Sequence, residues 1–99
     1  MAQAARLNDT IWGMHGLSVI TGNLYSCSPN VFINGRAAGC VGSVTIEYDD
    51  CGINFGAVGR GSSSVFINGQ QAARNGDPIN PHGGWANITS GSSDVDVGG

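Results

Sequence analysis

The sequence repeats itself at a constant interval. The pentapeptide Val-Phe-Ile-Asn-Gly occurs at Val31–Gly35 and again at Val65–Gly69, and we call the spacing between these two copies the repeat offset. Ala-Ala-Arg occurs at Ala4–Arg6 and at Ala72–Arg74, two repeat offsets apart. Midway between them, Ala38–Cys40 reads Ala-Gly-Cys, which is a degenerate third copy. Because a single short unit cannot bury its own apolar face, three copies indicate that three similar units pack against one another.

The residues within each copy are typical of β-strands and turns. We place the repeats at about residues 4–35, 38–69 and 72–98 of a single domain that covers residues 1–99. Alternation predicts that one face of three short strands points into the core, namely Val31, Ile33, Val65, Ile67, Val95 and Val97, with Phe32, Phe66 and Asp96 on the opposite face. Asn34-Gly35 and Asn68-Gly69 are strong hairpin-turn signals. A further strand is expected through Ala72–Arg74. The fold predicted is all-β, with pseudo-threefold symmetry.

Composition excludes several classes of function. Hydrophobic residues make up 40% of the chain, which is too apolar for a disordered polymer, although it contains 17 glycines. The net charge is −3, there is no lysine and the four arginines are scattered, so no nucleic-acid surface is expected. The first residues lack a basic-then-apolar secretion signal, which predicts synthesis in a reducing cytoplasm. The three cysteines are therefore expected to be thiols or metal ligands.

Both histidines occupy similar places in their copies. His15 and His82 each lie in the loop after an aspartate, and threefold packing brings such loops together at one end of the axis. The corresponding loop of the middle copy carries Cys51. Imidazole nitrogen and thiolate sulfur are the usual ligands of structural zinc. We therefore predict a structural zinc site at His15, Cys51 and His82.

A tetrahedral zinc site needs a fourth ligand. Cys40 is the best candidate because it belongs to the middle copy, and Asp50 or Asn54 are alternatives. Cys27 stands where the later copies have glycine, so it is expected to fill space rather than bind metal. The competing interpretation is that the histidines are ordinary turn residues and the cysteines small apolar side chains. Iron in place of zinc is a further alternative.

The ordered motif Ala-Ala-Arg-x-Gly-Asp, His-Gly-Gly, Gly-Ser and Val-Phe-Ile-Asn-Gly resembles the repeat of PAAR proteins. The resemblance covers essentially the whole chain, with Gln3 and Gln71 where that family has proline. It implies a small pointed cone of β-strands that caps a trimeric β-helical spike protein, one chain per trimer. In contractile phage tails and in type VI secretion, where the spike is VgrG, such a tip is driven through the target cell membrane. The family also implies a zinc near the point, at positions matching His15, His82 and Cys51.

The chain stops within its third copy, without a toxic extension, and we therefore expect a tip assembled in a phage tail baseplate. The alternative is a tip secreted with a type VI spike. No enzyme is expected, because the sequence lacks a nucleophile elbow and a phosphate-binding loop. Two remote alternatives are a small zinc hydrolase, if the metal keeps a water, and a carbohydrate-binding β module that uses Trp12 and Trp85. The two tryptophans are more simply expected to pack over the loops at the point.

Overall fold

The computed structural model describes residues 2–50, 52–81 and 83–98, and in these the chain is all-β, as predicted. None of the described residues belongs to a helix that is long and apolar enough to cross a lipid bilayer. The strands, in chain order, are β1 (Ala2–Gln3), β2 (Thr10–His15), β3 (Ser18–Leu24), β4 (Phe32–Ile33), β5 (Arg36–Ala37), β6 (Val44–Asp49), β7 (Gly52–Val58), β8 (Phe66–Ile67), β9 (Gln70–Gln71), β10 (Pro78–Asn80), β11 (Trp85–Ile88) and β12 (Asp96–Val97).

The six longer strands close into an antiparallel barrel in the order β10-β11-β2-β3-β6-β7. The barrel consists of three consecutive hairpins, β2–β3, β6–β7 and β10–β11, one from each copy of the repeat. Their connecting turns lie at the same end, because Trp85 pairs with Met14 and Thr21 pairs with Tyr48. We call this the turn end; His15 and Asp49 mark it. Closure leaves no barrel strand with an open edge.

The barrel is narrow because glycine faces its interior where strands approach closely. A Cβ on Gly13 would lie 1.9 Å from the carbonyl oxygen of Trp85, and one on Gly22 would lie 1.9 Å from that of Ile46. Larger side chains fill the remaining interior, among them Ile11, Ile20, Leu24, Val58, Ile79 and Ile88. Either glycine-to-alanine change would therefore push two strands apart.

Three two-stranded antiparallel sheets form the opposite end, which we call the base. Two are the hairpins β4–β5 and β8–β9, and the third pairs β12 with β1. We refer to all three as the base hairpins. The predicted Asn-Gly turns are present in the first two: Asn34 and Asn68 have φ of 53° and 52°, and the glycine after each is also positive. The third hairpin joins the first and last described strands, so the base is closed by two segments far apart in the sequence.

A ring of backbone hydrogen bonds joins the base to the barrel. The amide of Ala5 donates to the carbonyl of Ala73, that of Ala73 to Gly39, and that of Gly39 to Ala5, at 2.9–3.0 Å. The β-bridges on either side of the ring follow the same cyclic order, pairing Ala4 with Arg74, Arg6 with Ala38 and Cys40 with Ala72. The strand predicted through Ala72–Arg74 is thus a pair of isolated bridges, because each three-residue segment contacts both other copies. The molecule measures 34 × 23 × 23 Å.

The prediction for the six core-facing residues is correct in part. Ile67 and Val97 are buried in the base, in a cluster with Ala4, Ala38 and Ala72, and Val31 and Ile33 pack against it half-buried. Val65 and Val95 are more than one third exposed, because the loops that lead into these hairpins run over the surface. Phe32, Phe66 and Asp96 are exposed, as alternation predicted.

Candidate functional site

The turn end holds a histidine–carboxylate pair. His15 is the last residue of β2, and its Nδ1 atom lies 3.4 Å from Oδ2 of Asp49, the last residue of β6. The Asp49 side chain is fully buried, whereas 37% of the His15 side chain is exposed. The two residues are separated by exactly one repeat offset, so they are equivalent members of neighbouring copies. A carboxylate that accepts the Nδ1 proton leaves the lone pair on Nε2, which is the form of histidine that binds metals.

The third copy places a glycine beside the same ring. Gly83 lies one further repeat offset after Asp49, and a Cβ built on it would lie 2.7 Å from Nε2 of His15. Any larger residue at position 83 would therefore crowd the second ring nitrogen. Equivalent positions of all three copies thus meet at the turn end, and two of them, Asp49 and Gly83, were missed by the sequence analysis. Applying the repeat offset once and then twice from His15 would have found both.

Two of the predicted zinc ligands, Cys51 and His82, lie outside the described residues. Within residues 2–50, 52–81 and 83–98, no group of three His, Cys, Asp or Glu side chains is arranged to hold a metal ion. The two alternative ligands are described: Asp50 follows β6, where its amide donates to Ser18 Oγ, and Asn54 lies on β7 opposite Glu47. An imidazole supported by a buried carboxylate is a donor that suits zinc. The described part of the turn end is therefore chemically compatible with the predicted metal.

Cys40 does not belong to this site, which corrects its prediction as the fourth ligand. Cys40 bridges Ala72 near the base, and its Sγ lies 3.8 Å from the Ser43 hydroxyl, just before β6 begins. Asp49 ends β6 at the turn end, so the six-residue strand separates the two places by about 17 Å. The reason is its place in the repeat. Cys40 is equivalent to Arg6 and Arg74, and it directly follows Gly39 of the hydrogen-bond ring near the base.

Those arginines make charged turns in the first and third copies. Asp77 Oδ2 accepts from the Arg74 amide at 2.7 Å and from Nε at 3.0 Å, and Oδ1 accepts from Nη2 at 2.8 Å. Asp9 binds Arg6 in the same way and also accepts from the Ser90 hydroxyl. The side-chain hydrogen bond that Arg6 donates to Asp9 raises the pKa of Arg6. Burial raises the pKa of Asp9, but hydrogen bonds from Arg6 and Ser90 outweigh it, and the net pKa is lowered.

Aromatic side chains are exposed on two surfaces. Phe32 and Phe66, equivalent residues of two copies, are 61% and 57% exposed on the base hairpins. Trp12 and Trp85 lie on adjacent barrel strands with ring centroids 5.8 Å apart in an edge-to-face contact. They pack against each other on the barrel wall, and the expectation that they also cover the loops at the point stays a prediction. This edge-to-face geometry offers no flat, paired platform for a sugar ring.

A closed barrel, three base hairpins and a cyclic hydrogen-bond ring define a small all-β repeat domain. The chain belongs to the PAAR motif family, whose sequence model matches residues 14–85, well over half of its length. That family is structural rather than catalytic, and the match indicates a spike-tip protein of a contractile injection system that associates with a spike protein. A search of curated proteins finds no match to the chain.

Proposed function

We propose that this protein caps the end of a trimeric β-helical spike, one chain per trimer, and forms the leading point that is driven through a target membrane. The carrying observation is the ring in which Ala5, Gly39 and Ala73 donate to one another in cyclic order. In the proposed complex the three base hairpins connected by this ring lie around the spike axis, so that a single chain would offer three similar edges to a threefold partner. A closed trimer presents the same surface three times, which is the symmetry that such a cap must match.

The base is the surface that faces the spike in this proposal. Its hairpins have only two strands each, so their outer edges carry unpaired backbone groups that a neighbouring β-structure can pair with or cover. Phe32 and Phe66 add exposed apolar area there. The turn end lies at the other end of the barrel. In this proposal the turn end leads and the base docks.

Binding to the cognate spike trimer tests this arrangement. Native mass spectrometry of the mixed proteins should give one chain per spike trimer. Replacing both base aromatics in Phe32→Ala/Phe66→Ala should weaken binding at least tenfold, because exposed aromatics at an interface centre carry much of its energy. Binding isotherms measured by calorimetry give the affinity.

Two variants make this test specific for the base. Phe55→Ala removes an aromatic of similar exposure, 56%, from the barrel wall, and Leu17→Ser changes a fully exposed residue at the turn end. Both should bind the spike as the unaltered protein does. Three chains per trimer, or weakening by Leu17→Ser alone, would show that the stoichiometry or the orientation is wrong.

We also propose that a zinc ion, or iron in its place, joins the loops of the turn end. His15, Cys51 and His82 would hold it, and the ion would supply a cross-link between loops that belong to different copies. Asp49 orients His15 through Nδ1, and Gly83 leaves space at Nε2. Elemental analysis of protein purified without chelators should find about one metal per chain. His15→Ala should lower that content and the melting temperature together, whereas metal-free wild-type protein would contradict the proposal.

The proposal covers two kinds of machine, because phage tails and type VI systems both use a trimeric β-helical spike. We propose a phage baseplate as the first candidate, with a type VI spike as the alternative. Binding assays against one spike protein of each class distinguish them. The cognate class should bind at least tenfold more tightly, since complementary packing differs between spikes.

A further inference from the structure

Two thiols meet near the base, where the first copy joins the second. Cys27 and Cys40 are both free and half-buried. Cys40 Sγ lies 3.8 Å from Ser43 Oγ, and the Ser43 side chain is close enough to Cys27 to lower the pKa of its thiol in part. Neither cysteine belongs to the proposed metal site at the turn end. The pair therefore needs its own explanation.

The equivalent positions of the next copy are held side by side. One repeat offset further along the chain, Cys27 corresponds to Gly61 and Cys40 to Arg74, and Nη2 of Arg74 donates to the carbonyl of Gly61 at 3.3 Å. The backbone register around both pairs is the same, because Ser28 donates to Ala38 and Ser62 donates to Ala72, each at 2.8 Å. A hydrogen bond thus connects Arg74 to Gly61, and the two equivalent positions one repeat offset earlier are both cysteines.

Replacing arginine by cysteine also opens the surface. A cleft of about 420 Å³ lies between the Cys40 turn and the β8–β9 hairpin; it is lined by both cysteines, Ser26, Ser43, Asn68 and Gln70. In the third copy the longer Arg74 side chain extends from the equivalent position as far as the carbonyl of Gly98. Both half-buried cysteines therefore line one surface cleft.

We propose that Cys27 and Cys40 are a modification site, which closes to an intramolecular disulfide by exchange with a small-molecule disulfide such as oxidised glutathione. In the first step the Cys40 thiolate attacks one sulfur of the reagent, and one glutathione thiol leaves. In the second, the Cys27 thiolate attacks Cys40 Sγ and the second glutathione thiol leaves. The two protein thiols lose two hydrogens, which end on the two glutathione molecules.

The order of these steps follows from the environment of Cys27. Burial raises the pKa of the Cys27 thiol to about 11, with a smaller opposing effect from its hydrogen bond to Ser43. Cys27 is therefore protonated near neutral pH and is a poor first nucleophile. Once Cys40 carries the mixed disulfide, attack by Cys27 is intramolecular, which compensates for that low reactivity. The disulfide would join the first copy to the second, at the place equivalent to the one where Arg74 joins the third copy to the second.

Peptide mapping tests the linkage directly. The purified protein is incubated with oxidised glutathione at pH 8.5, and the remaining free thiols are alkylated. Intact mass spectrometry then measures the mass of the protein. Cleavage after arginine and after Glu47 places Cys27, Cys40 and Cys51 on three separate peptides, 7–36, 37–47 and 48–60. We expect the loss of two hydrogens and a linked pair of the first two peptides. The oxidised protein should melt about 10 °C higher, because the bond closes a 27–40 loop in the unfolded chain.

The single variants Cys27→Ser and Cys40→Ser provide the controls. Cys27→Ser should stop at the mixed disulfide on Cys40, which adds one glutathione to the mass, and neither variant should show the rise in melting temperature. Circular dichroism confirms that each is folded before oxidation. A linkage to Cys51, a stable mixed disulfide in the unaltered protein, or oxidation only after unfolding would each overturn the proposal.

Discussion

The first and third copies differ from the middle copy at one turn, and the backbone of the turn is the same in all three. The amide of Asp9 donates to Arg6, that of Ser43 to Cys40, and that of Asp77 to Arg74, at 2.9–3.0 Å. In two copies an arginine–aspartate ion pair occupies the turn, whereas in the middle copy Ser43 Oγ accepts from the Cys40 amide at 3.1 Å. The ion pair is therefore not needed to form the turn.

In the first and third copies the arginine of this ion pair also contacts a base hairpin. Arg6 extends from its turn to Asn34 of the β4–β5 hairpin, and Arg74 extends to Gly98 beside β12. Cys40 is too short for an equivalent contact with the β8–β9 hairpin, and a cleft lies there instead. The same turn backbone thus carries an arginine–aspartate ion pair in the first and third copies. In the middle copy it carries Cys40, which lines a cleft together with Cys27. The predictions below test this difference, beginning with the largest expected effect.

Asp77→Ala should destabilise the protein by about 3 kcal/mol. Asp77 is buried and accepts three hydrogen bonds from Arg74, so its loss leaves the amide and a largely buried guanidinium without their acceptor. Urea unfolding followed by tryptophan fluorescence measures the change. Asp96→Ala, which removes an exposed aspartate from β12, should change stability by less than about 0.5 kcal/mol. Equal effects from the two variants would mean that the ion pair contributes nothing.

Ser43→Ala, at the equivalent position of the middle copy, should cost only about 1 kcal/mol. Its hydroxyl accepts one neutral backbone hydrogen bond, from Cys40, and no charge is left unpaired. The same urea experiment provides the value. A loss as large as that of Asp77→Ala would show that the turn geometry, and not the charge, is what the acceptor stabilises.

The smallest effect expected is a change in acid sensitivity. The pKa of Asp9 in the folded protein lies below its ordinary value of 3.8, so Asp9 stabilises the fold above about pH 4, and that contribution is lost as pH falls through the folded pKa. Asp9→Asn should therefore flatten the decline in stability between pH 4 and pH 2. Urea midpoints measured across that range give the slope. A variant with an unchanged slope would place the acid sensitivity elsewhere, for example at Asp94, whose pKa is also lowered.

Local signals in the sequence were enough to predict several features. Asn34 and Asn68 adopt the positive φ that the Asn-Gly dipeptides predicted, and Ile67 and Val97 are buried, as alternation predicted. The two Val-Phe-Ile-Asn-Gly segments adopt the same turn backbone, because their local sequence is identical. The repeat offset was applied too loosely at the turn end, however, where the residues at that offset from His15 are Asp49 and Gly83. Loops of unequal length hid that register.

The sequence by itself determined an all-β chain of recurring turns and short strands, since hydrophobic alternation and positive-φ residues act over a few neighbours. Only the tertiary structure decided which strands pair. The six-stranded closure depends on close approach at Gly13 and Gly22, and the third base hairpin joins β1 to β12 across the whole chain. The place of Cys40, beside Cys27 and away from His15, follows from the same cyclic pairing. Such pairings are fixed by contacts between distant segments, which no local pattern records.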